Sequence, residues 1–458
     1  MSTSMTDLLR KSIRRINNLY DYYIAQEISV RKYVRESVER YKYGIVLDKF
    51  FANRAFSDEE LSLSSEEKGI VAEMLEDFYV DEDDNNDSVR IKYKLKDSFS
   101  IDKSYVLDPI KSREAYLSLM QQPKILSESV LMMLLVMYED AISSIYKYLI
   151  ERFPKAFLAD KSITYSELMS MNTNIEEIKH RFIDKEIDGI MREPISNWYD
   201  SFRKRQKANF LFADELFEKF KEIYYRRNII VHNQGVVNEV YLGNIKNAKV
   251  KLGERLKVDG CYLEEAFSCT SLVLVDTFFG LRRVAEDSDE LCDWILSYGY
   301  DCLIEKKWAQ AKYVFQVLLQ DNKMAQSLRI TAQINYWIAI KNMEGISAIR
   351  KEVTALDVSA MRLQFSVAKE ALLNNYNEVS YLLDVCLERR EIPAYCIQTW
   401  PLFNEFRASP EYERFVERHR EEMAVDEYEP ARDVEDILTE DSEGNDEGLC
   451  ESDNNDVS

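Results

Sequence analysis

Residues that break helices are scarce along this chain, and this scarcity restricts the possible folds more than any other feature. Only 12 glycines and 8 prolines occur among 458 residues. Between them lie long stretches in which apolar residues recur with the period of an α-helix, and segments that alternate like a β-strand are short, as at residues 89–95. The sequence therefore predicts an all-α fold with minor β structure, and its length suits two or three domains.

Charge is distributed unevenly along the sequence. The formal net charge is -22, but residues 421–458 hold sixteen Asp and Glu against the single Arg432, whereas residues 8–49 carry ten Lys and Arg against five acids. The acidic average argues against a general nucleic-acid coating protein and leaves room for a local basic groove. Residues 421–458 contain too few apolar side chains to fold, so we predict a disordered tail that either solubilises the protein or covers such a groove.

The cysteine pattern and the apolar runs bear on where the protein resides. The seven cysteines form no CxxC pair and show no metal-ligand spacing, which indicates free thiols in a reducing cytosol. The N-terminus has no apolar signal segment, and the most apolar run covers nine residues, 130–138, where a membrane span needs roughly 18. We predict a soluble cytoplasmic protein that has no membrane segment, metal site or cofactor.

The first 127 residues are predicted to form a helical accessory region, whose role the sequence does not reveal. Residues 4–50 have the pattern of one or two amphipathic helices. A further helix is predicted at residues 64–79, because this segment opens with SSEE, a capping-box pattern. The acidic run at residues 81–87 is predicted to be a loop.

Residues 128–288 carry the strongest helical periodicity and predict a bundle of four to five helices. The first of these, residues 128–153, is apolar almost all round, as expected for a helix that is surrounded by others. This helix also contains Glu139, and the spacing of Glu139 from the apolar residues places its carboxylate on a buried face. Residues 174–191 and 262–284 are predicted to form two further helices of the bundle.

An amphipathic helix within residues 210–242 is the most informative part of this bundle, and Gly235 marks its end. Arg226 continues the solvated face of this helix, whereas Arg227 continues the apolar face. A buried guanidinium keeps its charge and requires an anionic partner. We therefore predict that Glu139 pairs with Arg227.

Basic and aromatic residues are interleaved just before that helix. The basic residues are Arg203, Lys204, Arg205 and Lys207, and the aromatic ones are Trp198, Tyr199, Phe202 and Phe210. Such a mixture suits RNA, because cations bind phosphates and aromatic rings stack on bases. The four basic residues are therefore predicted to bind RNA. The alternative is a solvated loop between helices in which the aromatic residues serve as anchors.

An internal repeat begins after residue 289. Segments around Trp308, Met343 and Tyr376 align at separations of 35 and 33 residues. Each segment carries two apolar positions in register, which are Ala311, Ile346 and Val379 and then Val314, Ile349 and Leu382. A period near 34 with two helices per repeat resembles the tetratricopeptide array, and it implies either a docking surface for a protein partner or a packing platform for the bundle. We assign residues 289–420 to these repeats, with a capping helix at residues 400–416.

The stretch RRNIIVHN at residues 226–233 resembles the signature of the HEPN superfamily, in which an arginine and a histidine four to six residues apart end a bundle helix. Four residues separate Arg227 from His232, five separate Arg226 from His232, and Asn228 is the polar residue that commonly follows the arginine. Glu139 resembles the acid on the first helix of bacterial HEPN-like proteins, and Pro154 and the segment ITYSEL follow it in the same order. The same spacing recurs at Arg414 and His419, in the charged capping region.

This resemblance covers about a third of the chain and implies metal-independent cleavage of RNA, usually by a homodimer whose two motifs share one cleft. Such cleavage by the 2′-hydroxyl needs a base, an acid for the departing 5′-oxygen and a cation for the phosphorane. His232 can serve as base or acid, an arginine suits the phosphate, and Asn228 lies one turn before His232. Positions 227 and 232 are about 140° apart around a regular helix. Either the last turn loosens, or His232 of one protomer meets Arg226 or Arg227 of another.

The sequence thus predicts an endoribonuclease effector of the toxin or antiviral type, with His232, Arg227, Asn228, Arg226 and Glu139 at its catalytic site. RNA and a protein partner on the repeats are the predicted ligands. Two alternatives remain open. One is a non-catalytic scaffold in which Arg227 and Glu139 form a buried ion pair and His232 caps the helix. The other is a module that binds RNA or nucleotides without cleaving them. The sequence contains no phosphate loop, nucleophile elbow or HExxH motif.

Overall fold

The chain divides into two compact units, residues 1–297 and residues 298–458. Helices make up nearly all of the described secondary structure, which confirms the predicted all-α class with minor β structure. No helix in the described part of the chain combines the length and the apolar content that a membrane crossing requires. The computed structural model describes residues 4–56, 64–65, 67–69, 72, 78–83, 90–95, 109–159, 161–162, 164, 175–211, 214–246, 248–359 and 361–423.

Two long helices, α1 (Met5–Phe56) and α2 (Pro109–Arg152), run through the first unit. Helix α1 has 52 residues, so at 1.5 Å per residue it is about 78 Å long. It packs along α2 and belongs to the same compact unit as the bundle. The predicted boundary at residue 127 falls inside α2, so the N-terminal helix is not separated from the bundle there.

A small hairpin lies between these helices in the sequence. Strand β1 (Phe78–Asp83) pairs antiparallel with β2 (Arg90–Leu95). The predicted strand near residue 90 is confirmed. The helix predicted at residues 64–79 is present at the described residues 65, 67–69 and 72, but its predicted end is wrong, because β1 begins at Phe78. The loop predicted at residues 81–87 is wrong at residues 81–83, which belong to β1, and its remainder lies outside the described residues. The capping box itself is present, since Ser64 N donates to Glu67 Oε2 (2.8 Å) and Glu67 N donates to Ser64 Oγ (3.2 Å).

The remainder of the first unit is a helical bundle around an aromatic core. The fully buried core includes Tyr138 and Tyr146 of α2 and several rings from the later helices. Both helices predicted at residues 174–191 and 262–284 are present, and the second ends in a 3-10 turn. The predicted segment ITYSEL falls outside the described residues except for Thr164. The bundle helices are α3 (Pro154–Leu158), α4 (Ile175–Met191), α5 (Ile195–Gln206), α6 (Asp214–Asn233), α7 (Glu239–Asn244) and α8 (Gly260–Leu281).

Helix α2 is not surrounded on all sides, contrary to the prediction from its composition. Leu131, Leu134 and Leu135 are fully buried, but Met133 is 47% and Val136 is 50% exposed. The apolar side chains of α2 therefore extend beyond the part that the other bundle helices cover. Arg15 of α1 forms an ion pair with Asp140, which lies on α2 four residues after Val136.

The second unit is built from successive helix pairs, which agrees with the prediction of two helices per repeat. A left-handed residue joins the helices twice, at Lys306 (φ 60°) and at Asn374 (φ 64°). In both turns the amide of the next residue donates a hydrogen bond to the carbonyl five residues before it. These bonds are Lys307 N to Cys302 O (2.8 Å) and Asn375 N to Glu370 O (3.0 Å). The first helix, α9 (Ser288–Ile304), begins in the first unit and ends in the second. The helices that follow are α10 (Trp308–Leu319), α11 (Gln326–Glu344), α12 (Ile346–Ala355), α13 (Leu363–Leu372) and α14 (Tyr376–Glu388).

The alignment of the middle repeat is wrong by three residues. Trp308 and Tyr376 begin α10 and α14, as the alignment requires. Met343, however, lies near the end of α11, and the next helix begins at Ile346 after a turn at Gly345 (φ 84°). The register in the structure is Trp308, Ile346 and Tyr376.

The end of the second unit is a set of short helices rather than the single capping helix predicted at residues 400–416. Phe403, Phe406 and Phe415 are fully buried within it. The predicted acidic tail lies outside the described residues from residue 424 onwards. The elements are α15 (Ala394–Thr399), a 3-10 turn (Pro401–Phe403), α16 (Asn404–Arg407), α17 (Pro410–Arg418) and α18 (Arg420–Met423).

Candidate functional site

Helix α6 carries the candidate site and keeps its regular geometry as far as Asn233. It ends because Gln234 (φ 53°) and Gly235 (φ 78°) adopt left-handed conformations, and Gly235 N closes the helix on Ile229 O (2.9 Å). The prediction that Gly235 marks the end is confirmed. Since the last turn does not loosen, residues 227 and 232 remain about 140° apart around the helix.

Arg227 is held by the acidic side chain that the sequence indicated. Its Nη2 pairs with Glu139 Oε1, and Tyr224 OH donates to the same oxygen at 3.0 Å. The guanidinium also lies over the Tyr224 ring, 4.9 Å from the centroid. This arrangement confirms the predicted pairing. Tyr224 was not among the predicted site residues, although its position three residues before Arg227 was a signal for this contact.

The Arg227 cluster is half-buried and incompletely satisfied. The Arg227 side chain is 18% exposed and that of Glu139 is 27% exposed. Buried Nε of Arg227 has no hydrogen-bond partner among the described residues. Since a guanidinium presents its donors in a fixed fork, the contact with Glu139 leaves part of this donor set unused. Because Nε is buried, an anionic ligand can contact this guanidinium only through the part of the side chain that remains exposed.

Arg226 does not lie on the solvated face, and that prediction is wrong. Its side chain is only 15% exposed. Nε donates to Glu222 Oε1 (2.7 Å), Nη1 donates to Lys257 O (2.6 Å), and the guanidinium lies 3.9 Å from the centroid of the Tyr262 ring. The reason is that the chain after α6 folds back over this side of the helix, which periodicity within α6 alone does not reveal.

Glu222 is the centre of this second cluster and was missed by sequence analysis. Besides Arg226, it accepts hydrogen bonds from Tyr241 OH (2.7 Å) and Tyr262 OH (2.8 Å). The two tyrosines come from α7 and α8, so one carboxylate joins three helices. Burial raises the pKa of both hydroxyls, and the charge of Glu222 raises them further. Both tyrosines therefore remain neutral donors at physiological pH.

His232 and Asn228 lie on a common face of α6, four residues apart and thus about 40° apart around the helix. His232 is exposed and Asn228 is half-buried. Neither side chain has a hydrogen bond or an ion pair within the part of the chain that the structure describes. The imidazole is therefore accessible, whereas the arginines on the same helix are engaged.

The basic stretch before α6 is only partly available for RNA. Trp198, Tyr199 and Phe202 are fully buried core residues, so the prediction that these rings stack on bases is wrong. Arg205 pairs with Glu186 (3.5 Å) and lies over the Phe157 ring. Exposed cations remain at Arg203, Lys204 and Lys207. Arg203 itself contacts Asp200 (3.2 Å) and the Phe210 ring.

The two parts of the predicted site do not come together within one chain. The Phe210 ring under Arg203 precedes α6, whereas His232 lies at the other end of that helix. Helix α6 has 20 residues and is therefore about 30 Å long. A groove of 440 Å³ beside α5 contains Lys204 and Arg205, but Glu193 and Asp200 also line it. The basic stretch and the Arg227 cluster are thus separate surfaces of the bundle.

The described residues contain no metal-binding group, no disulfide and no second accessible pair of arginine and histidine at the spacing of Arg227 and His232. No group of three or more His, Cys, Asp or Glu side chains there has an arrangement that suits a metal ion. All six described cysteines are free thiols, as predicted. The second Arg and His pair is structural, since His419 Nε2 lies 2.7 Å from Asp384 Oδ1 and its ring packs against Phe415.

The candidate site consists of Arg227, Glu139 and Tyr224 in one cluster, with accessible His232 and Asn228 at the end of the same helix. Such a combination offers a cation for a phosphate and an imidazole for proton transfer. Comparison with known proteins adds no further assignment. No protein-family model, no curated protein and no solved structure matches this chain.

Proposed function

We propose that the first unit is a metal-independent endoribonuclease domain that acts as a homodimer. The observation that carries this proposal is the Arg227 cluster. Its guanidinium is fixed by Glu139 and keeps donors that no described residue uses, and an exposed histidine that has no partner among the described residues lies on the same helix. Fixed positive charge and an accessible proton carrier are the two requirements of cleavage by the 2′-hydroxyl.

Each residue has a specific part in this reaction. Arg227 binds the scissile phosphate and stabilises the phosphorane, while Glu139 and Tyr224 hold the guanidinium in position. His232 takes the proton of the 2′-hydroxyl as the O2′ to phosphorus bond forms. A second His232 protonates O5′ as the phosphorus to O5′ bond breaks. Asn228 orients the imidazole of its own chain. Arg226 is excluded from this set, because Glu222 and the Lys257 carbonyl occupy it.

A second copy of the chain completes the cleft. Arg227 and His232 of one regular helix diverge by about 140°, so a single chain directs them to different sides. Met133 and Val136 are about half exposed on α2, one to two turns before Glu139, and Val231 is 50% exposed beside His232. Exposed apolar side chains at both ends of the site favour an interface there. In the dimer, Arg227 of one protomer faces His232 of its partner.

Incubation of the purified full chain with single-stranded RNA in the presence of EDTA tests this function. Wild-type protein is expected to produce fragments with 2′,3′-cyclic phosphate and 5′-hydroxyl ends. The variant His232→Ala is expected to lose at least about 100-fold in rate, since the proton carrier is removed. Its thermal stability should remain within about 0.5 kcal/mol of wild type, because His232 is exposed and has no partner in the described chain.

His180→Ala is the matched control for this experiment. His180 is also an exposed histidine of the first unit, on α4, and it belongs to neither cluster. This variant should cleave RNA at the wild-type rate. Equal rates for His232→Ala and wild type would rule out the proposed role of the imidazole.

The alternative is a non-catalytic scaffold, and one observation favours it. Arg226 and Arg227 are both paired with carboxylates of their own chain, which is sufficient to explain why charged residues are tolerated on a packed helix. The same assay separates the two functions. A wild-type chain that neither cleaves nor binds RNA is a scaffold, and a chain that retains RNA without cleaving it is a binding module.

A further inference from the structure

The second unit contains a small pocket between the first helices of consecutive pairs. Its walls are mostly apolar and include Ile334 of α11, Phe365 of α13, Ile392 and the indole of Trp400. The enclosed volume is 150 Å³. Small-molecule sites usually enclose roughly 300 to 1,000 Å³, so this pocket has the size of a single long side chain rather than of a metabolite.

One acidic side chain, Glu391, lines this apolar pocket. Buried Oε2 of Glu391 accepts no hydrogen bond from any described residue. The other oxygen lies 4.0 Å from Nη1 of Arg389, whose side chain is 65% exposed. That distance is beyond hydrogen-bond range, and such an exposed contact is weak. The Glu391 side chain is 31% exposed, so water reaches one side of the carboxylate, while Oε2 is buried and lacks a donor among the described residues.

No other charge in the pocket competes with Glu391. The lining contains no lysine, arginine or histidine. Burial raises the pKa of the Cys396 thiol, which also lines the pocket, so this group is neutral at physiological pH. The pocket thus presents one carboxylate among two aromatic rings and aliphatic walls, with the neutral polar side chains of Thr331 and Gln364 beside them.

These properties match a cationic side chain of a protein. Aliphatic walls suit the methylene stem of lysine or arginine, aromatic rings attract the cation through their faces, and the carboxylate supplies a hydrogen-bond acceptor. The indole Nε1 of Trp400 also lacks a partner among the described residues. A free amine offers nothing to this donor, whereas the main-chain carbonyl of a bound peptide accepts its hydrogen bond. The pocket therefore favours a peptide segment over a small amine.

We propose that this pocket binds a lysine or arginine side chain of a partner protein, with Glu391 as the residue that recognises the charge. The inference concerns the second unit and goes beyond the cleavage of RNA by the first. It stands whether or not the bundle is catalytic.

Ligand-observed NMR on the full chain tests the proposal with two isosteric probes, N-acetyl-lysine methylamide and N-acetyl-norleucine methylamide. Wild-type protein is expected to bind the lysine probe about tenfold more tightly, since a hydrogen bond to a charged group contributes about 1.5 kcal/mol or more. In Glu391→Gln this preference should disappear. Glu388→Gln, which changes an exposed glutamate of α14 outside the pocket, should retain it.

Thermal unfolding of Glu391→Gln distinguishes recognition from a structural role. Removal of a carboxylate without a donor should leave the melting temperature unchanged or raise it, whereas loss of a structural contact would lower it. Equal binding of the two probes, no binding of either, or an unchanged preference in Glu391→Gln would each overturn the proposal.

Discussion

Arg226 and Arg227 are adjacent on α6 but lie in two clusters that differ in how fully their hydrogen-bonding groups are satisfied. On one side, Glu222 accepts hydrogen bonds from Arg226, Tyr241 and Tyr262, and the arginine also binds the Lys257 carbonyl. On the other side, Glu139 receives Arg227 and Tyr224, and Nε of this arginine has no partner among the described residues. The first cluster joins α6 to two later helices, and the second joins it to α2, with Tyr224 also packed against Trp198 of α5.

We propose that this difference separates a structural from a functional use of the same residue type. A buried charge contributes to stability only when its hydrogen-bonding groups are satisfied, and the Glu222 cluster meets this condition more fully. The Glu139 cluster keeps unused donors next to a more exposed carboxylate, so its cation can still bind an anion. Arg226 is therefore expected to determine stability, and Arg227 is expected to determine activity.

The largest expected effect on stability belongs to Arg226→Ala. This change leaves the half-buried Glu222 without its cation and should lower the free energy of unfolding by about 3 kcal/mol. Urea unfolding followed by circular dichroism measures the effect. Arg203→Ala is the control, because Arg203 is 47% exposed and its removal should cost no more than about 0.5 kcal/mol. A similarly small cost for Arg226→Ala would contradict the structural role of the Glu222 cluster.

Arg227→Lys should separate the two properties within the other cluster. A lysine retains the charge beside Glu139, so the free energy of unfolding should change by no more than about 1 kcal/mol. Its ammonium lacks the planar fork that serves a carboxylate and a phosphate together, and RNA cleavage should fall by about 100-fold. Gel assays and urea unfolding on the same preparation test both statements. Cleavage at the wild-type rate would show that the guanidinium geometry is not required.

Local patterns predicted much of the fold, and contacts between distant segments account for the errors. The capping box at Ser64 and the turn at Gly235 depend on a few adjacent residues, and both are present. The middle repeat was misaligned because the segment around Met343 resembles the segment around Tyr376 in sequence, whereas the turn is formed at Gly345, where a positive φ is required. Residue similarity selected the wrong register, and backbone conformation determined the correct one.

The same limit applies to the candidate site, which was predicted only where it depends on local patterns. The pairing of Arg227 with Glu139 followed from the faces of two helices, because each face can be read from its own periodicity. The burial of Arg226 could not be read in this way. It depends on Tyr241 and Tyr262, which reach α6 only after the chain reverses beyond Gly235. A face that appears solvated within one helix can be covered by another, and a single sequence does not indicate which one.

Unfolding at alkaline pH tests whether each cluster keeps its tyrosine hydroxyl buried and neutral. Burial raises the pKa of Tyr262 well above its ordinary value, with the charge of Glu222 as the next cause, and burial together with Glu139 also raises the pKa of Tyr224. A raised folded-state pKa leaves stability intact below pH 10. Above it, the unfolded chain loses protons that the folded chain keeps, so the free energy of unfolding falls by at most about 1.4 kcal/mol per pH unit for each tyrosine.

Tyr262→Phe and Tyr224→Phe should each reduce the loss of stability between pH 10 and pH 11 by a similar amount, because burial raises the pKa of both hydroxyls and only the unfolded chain ionises them in this range. Tyr33→Phe is the control, because Tyr33 is 55% exposed and should leave the pH dependence unchanged. Urea unfolding at a series of pH values measures these slopes. An unchanged slope in Tyr262→Phe would contradict the burial of its hydroxyl in the Glu222 cluster, and an unchanged slope in Tyr224→Phe would contradict the same for the Glu139 cluster.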